Sequence, residues 1–403
     1  MSKKKKKSRA GKIFRTIVYL LLAIIVFVNL FILFTGRTYL YKGLKETYLR
    51  GKSGPGIYDS LVFPVRRAES QGNSESWPKA KELIALTEEE EKSLLDLKTT
   101  SFMVVRDSTI VHEKYWGKHT ESTKSNSFSA AKSFIGLLCG IALDKGYIKS
   151  FEDPITDYLD FLEPKDSIVK IRHLLAMSSG LKWNESGSDP LSDNAEAYYG
   201  SDLRSIMKKV SFAGPPGKEF DYASGNSQLL GLILTSATKM ELTDFLEKYL
   251  WRKINPQHDL LWSLDHENGM EKSFCCIYAT SEDYARVGQL ILNKGKWNGE
   301  QIISDSSLTL LMQPSGAESP YYGLHFWRYE HPEHPAIYAR GILGQYIIVI
   351  PTLNSVIVRT GHERLDKFTQ EDLKLQDQTF KLHHPKDLFV FYDIALRIIN
   401  KVE

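Results

Sequence analysis

A hydroxyl and an amine stand three residues apart in the run Ser-Ala-Ala-Lys, at Ser129 and Lys132. On a helix that spacing puts both on one face, about 4.5 Å apart along the axis. A serine hydroxyl becomes a nucleophile toward a carbonyl only when a neighbouring base activates it. A lysine at an apolar helix start can be that base, because burial and the positive end of the helix both disfavour its charged form. The same helix end favours the negative charge that develops on the attacking serine. The spacing alone is not diagnostic, since Ser2, Ser76, Ser167, Ser179, Ser205 and Ser236 also have lysine at the third position on. Context separates Ser129 from these. It opens an apolar helix expected over residues 129–145, where lysine is rarely buried without a reason.

A second constellation is Pro-Pro-Gly-Lys-Glu-Phe-Asp-Tyr-Ala-Ser-Gly-Asn at 215–226. Tyr222 can hydrogen-bond the Ser129–Lys132 pair and relay a proton to a leaving group, and Ser224 can bind substrate or Lys132. Tyr222 can equally be a packed tyrosine with a satisfied hydroxyl. Ser192-Asp193-Asn194 spells a triplet known from class A β-lactamases, yet it lies in an Asp- and Ser-rich stretch that reads as an exposed loop. There is no Gly-x-Ser-x-Gly elbow, which argues against an α/β-hydrolase fold. None of the 11 histidines is marked by its sequence as a partner for Ser129. No metal-ligand spacing occurs, so neither a metal nor another cofactor is expected.

The elements that would position these groups are readable in outline. Residues 101–106 and 109–115 are β-rich and joined at Asp107-Ser108, a hairpin signal. In 129–145 apolar residues cover nearly the whole circumference, as in a buried helix. Helical segments follow near 168–176, 201–210, 225–238, 241–251 and 281–293. Strand character returns at 336–341, 345–350 and 355–359, and 386–401 reads as a closing helix. Strands at both ends with helices between them predict an α+β fold: an antiparallel sheet with a mainly helical region inserted in its middle.

Charge and hydropathy set the surroundings. Residues 1–15 hold eight of the 52 basic residues and no acid, leaving 44 bases against 49 acids in the rest. The net charge of +3 is therefore a tail property and gives no reason to expect nucleic-acid binding. Residues 17–34 are uncharged and, as a helix, span about 27 Å, close to a bilayer's hydrocarbon core. The basic flank predicts a cytoplasmic N-terminus and an exported domain, in a single-pass protein of the cell membrane. The apolar run is longer than a signal-peptide core, and no Ala-x-Ala-like site follows it. The expected organisation is a basic tail (1–16), a transmembrane signal anchor (17–35), a neck with a surface helix (36–97) and a catalytic domain (98–403). Cys139, Cys275 and Cys276 read as three buried thiols.

Several short pieces, weak singly, occur in one order: Ser-x-x-Lys at 129, Leu-Leu-Ala-Met-Ser-Ser-Gly-Leu-Lys-Trp at 174–183, and Tyr-Tyr-Gly-Ser-Asp-Leu at 198–203. Tyr-x-Ser at 222, Phe-Cys-Cys at 274–276, Gly-Lys-Trp-Asn-Gly-Glu at 295–300 and Gly-x-x-Gly-Gln-Tyr at 341–346 follow. With them the chain resembles, over about 100–400, the serine β-lactamase, penicillin-binding protein and esterase family. The nearest branch is the class C β-lactamase-like one that includes 6-aminohexanoate-dimer hydrolase. The resemblance implies a β-lactamase/transpeptidase-like fold, acylation of Ser129, and Lys132 and Tyr222 as proton carriers. It implies an oxyanion hole from the backbone N–H groups of Ser129 and Ile342, with close backbone approach at Gly341. Ser224, Tyr199 and Trp183 then belong to the substrate-binding set, with Tyr198 and Trp327 as further pocket walls, although packing explains these aromatics as well. The family's Lys-Thr-Gly or His-x-Gly strand is here Ala339-Arg340-Gly341, which argues against β-lactamase activity. The implied substrate is a small molecule or peptide with an amide or ester bond. The competing reading is a non-catalytic receptor of the same fold that binds or is acylated by a ligand.

Overall fold

The strand Thr99–Arg106 is buried on both faces along nearly its whole length. Successive side chains of a strand point to opposite faces, so one run of apolar residues can supply two cores. Phe102 and Val104 join a cluster with Leu388, Phe391 and Ile398 of the helix Lys386–Asn400. Met103 and Val105 join another, with Phe134 and Leu137 of the helix Ala131–Asp144 and Leu290 of the helix Ser281–Leu292. The strand Gln345–Ile350 divides in the same way, with Ile348 and Ile350 on one side and Ile347 and Val349 on the other. The structure, a computed structural model, describes residues 9–72, 74, 76–316, 319–373 and 381–402.

The sheet so covered has six antiparallel strands in the order Thr109–Tyr115, Thr99–Arg106, Ser355–Gly361, Gln345–Ile350, Ala336–Gly341, Trp327–Tyr329. The expected hairpin is present, and Asp107 and Ser108 take φ of 50° and 58°, the left-handed values that a two-residue turn of matching twist demands. The helical region between the early and late strands is present too, including Ser224–Thr238 and Ser281–Leu292. This is the α+β arrangement expected from the sequence. It also contains a four-stranded sheet that periodicity does not reveal, ordered Val65–Ala68, Leu260–Ser263, Ile277–Ala279, Ser125–Asn126. Strands this short present too few alternations to read. One of them, Val65–Ala68, comes from the segment read as a neck, so that segment is partly built into the domain.

At the N-terminus, Arg9–Thr35 forms one helix, and its stretch Gly11–Thr35 is long and apolar enough to cross a membrane. Residues 1–8, which carry most of the basic tail, lie outside the described residues. After a break at residues 36–38 the helix Tyr39–Glu46 packs on the domain. Arg37 donates from Nη1 to the Leu191 carbonyl at 3.1 Å, and the buried Tyr39 donates from its hydroxyl to the Pro190 carbonyl at 3.1 Å. The cysteine reading needs correction: Cys139 is a buried free thiol, but Cys275 and Cys276 are joined in a disulfide between neighbours.

Candidate active site

Ser129 sits in the 3-10 turn Phe128–Ala130 that leads into the helix Ala131–Asp144, in which every residue from Ala131 to Ala142 is buried. Phe128 takes a left-handed φ of 45°, an uncommon conformation for a bulky residue. Two contacts hold it: its N–H donates to Asn126 Oδ1 at 2.9 Å, and the strand Ala336–Gly341 packs over it. A Cβ added at Gly341 would lie 2.1 Å from the Ser127 carbonyl oxygen and 3.0 Å from Phe128 Cβ. Glycine is thus what lets the strand end reach the nucleophile's turn, and Ile342 follows directly after it.

Lys132 is 2% exposed, and its Nζ has three acceptors: Phe274 O at 2.8 Å, Ser224 Oγ at 3.0 Å and Ser129 Oγ at 3.2 Å. A buried amine left unpaired would be costly, so these contacts fix its position. Ser224 opens the helix Ser224–Thr238, and both its N–H and its Oγ donate to the Glu185 carboxylate, each at 2.7 Å. The Ser224 hydroxyl therefore accepts from Lys132 and donates to Glu185, which makes a chain from the amine to a half-buried acid. The Tyr222 ring centroid lies 5.1 Å from Lys132 Nζ, with Trp327 5.7 Å beyond it, ring to ring. Tyr222 is therefore beside the pair, although its hydroxyl bonds neither Ser129 nor Lys132.

Ser129, Lys132, Tyr222, Ser224 and Gly341 are thus brought together. Trp183 borders them, for a Cβ at Gly225 would meet its ring at 2.6 Å. Tyr199 packs on the helix Tyr39–Glu46, its ring against Gly43 and 6.3 Å from Phe63. Tyr198 spends its hydroxyl on Asp59 at 2.8 Å. Ser192 is the N-cap of the helix Asp193–Tyr199, accepting from the Ala195 N–H at 3.1 Å, so the Ser-Asp-Asn triplet is explained by capping. Ala339 is buried among apolar side chains, and Arg340, one residue on, leaves the strand on the opposite face. Two participants were missed by sequence reasoning. Glu185 is one acid among several in a polar loop, and the Phe274 contribution is a backbone carbonyl, which no residue type announces.

Among the described residues no histidine hydrogen-bonds Ser129. The buried His325 commits its ring nitrogens to Ser227 Oγ and the Leu175 carbonyl, both at 2.8 Å. Burial, with a smaller contribution from Lys132, pushes its pKa down to about 3. Two depressions, of about 470 and 830 Å³, lie away from these groups, lined by residues such as Lys248 and Arg252, or Thr156 and Arg204.

An antiparallel α+β fold that sets a serine and a buried lysine at the head of its central helix is the serine β-lactamase and penicillin-binding protein type of architecture. Residues 88–376 match the family model Beta-lactamase, and the chain belongs to that family of hydrolases. It is 25% identical over 295 residues to 6-aminohexanoate-dimer hydrolase of Paenarthrobacter ureafaciens, spanning 67% of this chain and 74% of that protein. Protein flp of Staphylococcus aureus strain MW2 is 23% identical over 173 residues, 39% of this chain and 34% of its own. Among solved structures, one from Bacillus anthracis that carries the 6-aminohexanoate-dimer hydrolase name shares the fold with a TM-score of 0.72 at 20% identity, over 85% of this chain and 92% of that one. FmtA from Staphylococcus aureus does so with a TM-score of 0.54 at 18% identity, over 81% and 93%.

Proposed function

We propose that this protein is a membrane-anchored serine hydrolase that cleaves an amide or ester through an acyl-enzyme on Ser129. The observation that carries the reading is the buried Lys132 amine held at 3.2 Å from the Ser129 hydroxyl by two further acceptors. In its neutral form the amine takes the Ser129 proton as Oγ attacks the carbonyl. The oxyanion that results is stabilised by the N–H groups of Ser129 and Ile342, at the junction that Gly341 makes close. The proton then passes to the leaving nitrogen or oxygen, through Tyr222 or through Ser224. Water repeats the sequence on the ester, with Lys132 taking its proton, and releases the acid and free Ser129. Glu185 keeps the Ser224 hydroxyl turned so that its lone pairs face Lys132. The pocket is bordered by Trp183 and Trp327.

An amide substrate is supported by the relative named 6-aminohexanoate-dimer hydrolase, since two amino-acid units condense through an amide. Ala339 in the place of a cation speaks against penicillin-like substrates. The apolar helix and the basic residues before it support anchoring with the N-terminus inside and the catalytic domain outside.

The test is labelling of the wild type and a Ser129→Ala variant with a fluorophosphonate, alongside turnover of nitrophenyl esters and short amides. Both signals are expected to vanish in the variant, and survival of either ends the proposal. Stoichiometric labelling without turnover would favour an acylated receptor of the same fold.

A further inference from the structure

The helix Tyr39–Glu46 carries large side chains on two sides, and the domain covers only one of them. At about 100° per residue, Tyr39, Gly43 and the following Thr47 share a face. That face meets the domain: Tyr39 and Thr47 are buried, and Gly43 packs on the Tyr199 ring. Tyr41, Leu44 and Lys45 lie on the opposite face, and the turn Tyr48–Arg50 follows at its end. There Leu44 is 49% exposed, Tyr48 70% and Leu49 74%. Single exposed apolar residues are ordinary, whereas a cluster of them on one short segment marks a surface that something apolar covers.

The chain on either side says what the cover is. Only residues 36–38 separate this helix from the long helix Arg9–Thr35. The apolar stretch Gly11–Thr35 is about 37 Å long, a turn or so more than the ~30 Å hydrocarbon core of a bilayer. The short helix folds back on the end of the long one. Its Tyr41 hydroxyl donates to Asn29 Oδ1 at 2.7 Å, and Asn29 lies about 9 Å before Thr35 along the axis. Ile32, between them, is buried while Phe31 and Leu33 on either side are exposed. Tyr41 therefore points back toward the membrane, and Leu44, one turn on along the same face, follows it. A tyrosine at that level suits the boundary between hydrocarbon and headgroups. The charges agree. Lys45 and Arg50 are exposed, whereas Glu46, which they contact at 3.6 and 2.9 Å, keeps only 9% of its side chain exposed. What this segment offers to solvent is positive, the sign that anionic headgroups attract.

We infer that the face formed by Tyr41, Leu44, Tyr48 and Leu49 lies on the anionic phospholipid surface from which the long helix emerges, with Lys45 and Arg50 against its phosphates. The inference rests on the anchoring reading above. It also ties the active site to the membrane. Arg37 and Tyr39 bond the carbonyls of Leu191 and Pro190, at the end of the loop that carries Glu185, so the docked face holds that loop near the leaflet.

The experiment puts a nitroxide on the full-length protein through Leu44→Cys, Tyr48→Cys or Leu49→Cys, in vesicles of phosphatidylglycerol and phosphatidylcholine. The native sulfurs do not compete, since Cys139 is buried and Cys275 and Cys276 are bonded to each other. Collision of the label with oxygen, which concentrates in lipid, is compared with collision with a water-soluble nickel chelate. Leu310→Cys, at an exposed position of the helix Asp305–Met312, is the aqueous reference, and Leu21→Cys the reference within the anchor. The oxygen-to-nickel ratio is expected to be at least about threefold higher at positions 44, 48 and 49 than at 310. It is expected to fall toward the 310 value in phosphatidylcholine alone, and when Lys45→Gln and Arg50→Gln are introduced together. A ratio near the 310 value at any of the three positions overturns the inference, and so does indifference to lipid charge. Loss of access to both reagents overturns it too, because a second protein copy would then cover the face. If position 21 itself reads as aqueous, the anchoring reading has failed by itself, and positions 44, 48 and 49 still decide whether this face meets lipid.

Discussion

Ser224 accepts from Lys132 with one lone pair while its proton is committed to Glu185, so the acid sets the direction of the bond that reaches the amine. Glu185→Gln keeps an oxygen for one of the two bonds and loses the charge that holds both. We expect kcat to fall about 10–100-fold with KM nearly unchanged, measured by steady-state hydrolysis of a nitrophenyl ester. A change confined to KM would mean that Glu185 meets the substrate and does not orient Ser224. Sequence made Ser129 and Lys132 legible because an amine in an otherwise apolar helix is anomalous. Glu185 sits in a loop with Asp189, shortly before Asp193 at the start of a helix, and only the folded chain distinguishes it from them. Tyr199 is the opposite case: beside an active-site loop an aromatic looks like a pocket wall, and its packing against Gly43 accounts for it as well.

At the scale of elements, the site is a junction between the head of one helix and the end of one strand. Gly341→Ala puts a methyl carbon 2.1 Å from the Ser127 carbonyl oxygen, a backbone atom that cannot step aside alone. Strand and turn must separate, which disturbs both Phe128 and the N–H pair proposed for the oxyanion. The variant is expected to remain folded, to lose about 1–3 kcal/mol of stability as an overpacked position does, and to lose more than about 100-fold in kcat. Chemical denaturation and a single-turnover assay measure the two effects; unchanged turnover would remove Gly341 from the catalytic account. The hairpin at Asp107-Ser108 and the three late strands could be read from the sequence because each is long enough to carry turn chemistry or an apolar run. The second sheet, with strands of two to four residues, could not.

Across the whole molecule, buried histidines set the response to acid. Burial is the first cause in each case, bringing the pKa of His325 and His384 down to about 3 and that of His119 to about 4, from an ordinary 6.5. Between those values the unfolded chain binds protons that the folded chain refuses, so stability rises with pH across the window. The contribution is complete above 6.5 and is lost as the pH falls toward the folded values. Each such histidine can remove up to about 1.4 kcal/mol per pH unit. Denaturant midpoints are therefore expected to fall steadily between pH 7 and pH 5, and His325→Gln to flatten part of that slope. A flat wild-type profile would contradict this.

The hydrogen bonds from Arg37 and Tyr39 to the carbonyls of Leu191 and Pro190 also bear on how the soluble part is best cut out. A truncation that begins at residue 40 discards both donors and strips the cover from the segment that carries Glu185. One that begins at Gly36 keeps the clasp and drops only the greasy rod. Comparing the two fragments by melting temperature and by esterase rate would tell whether the clasp merely caps the domain or also steadies its mouth.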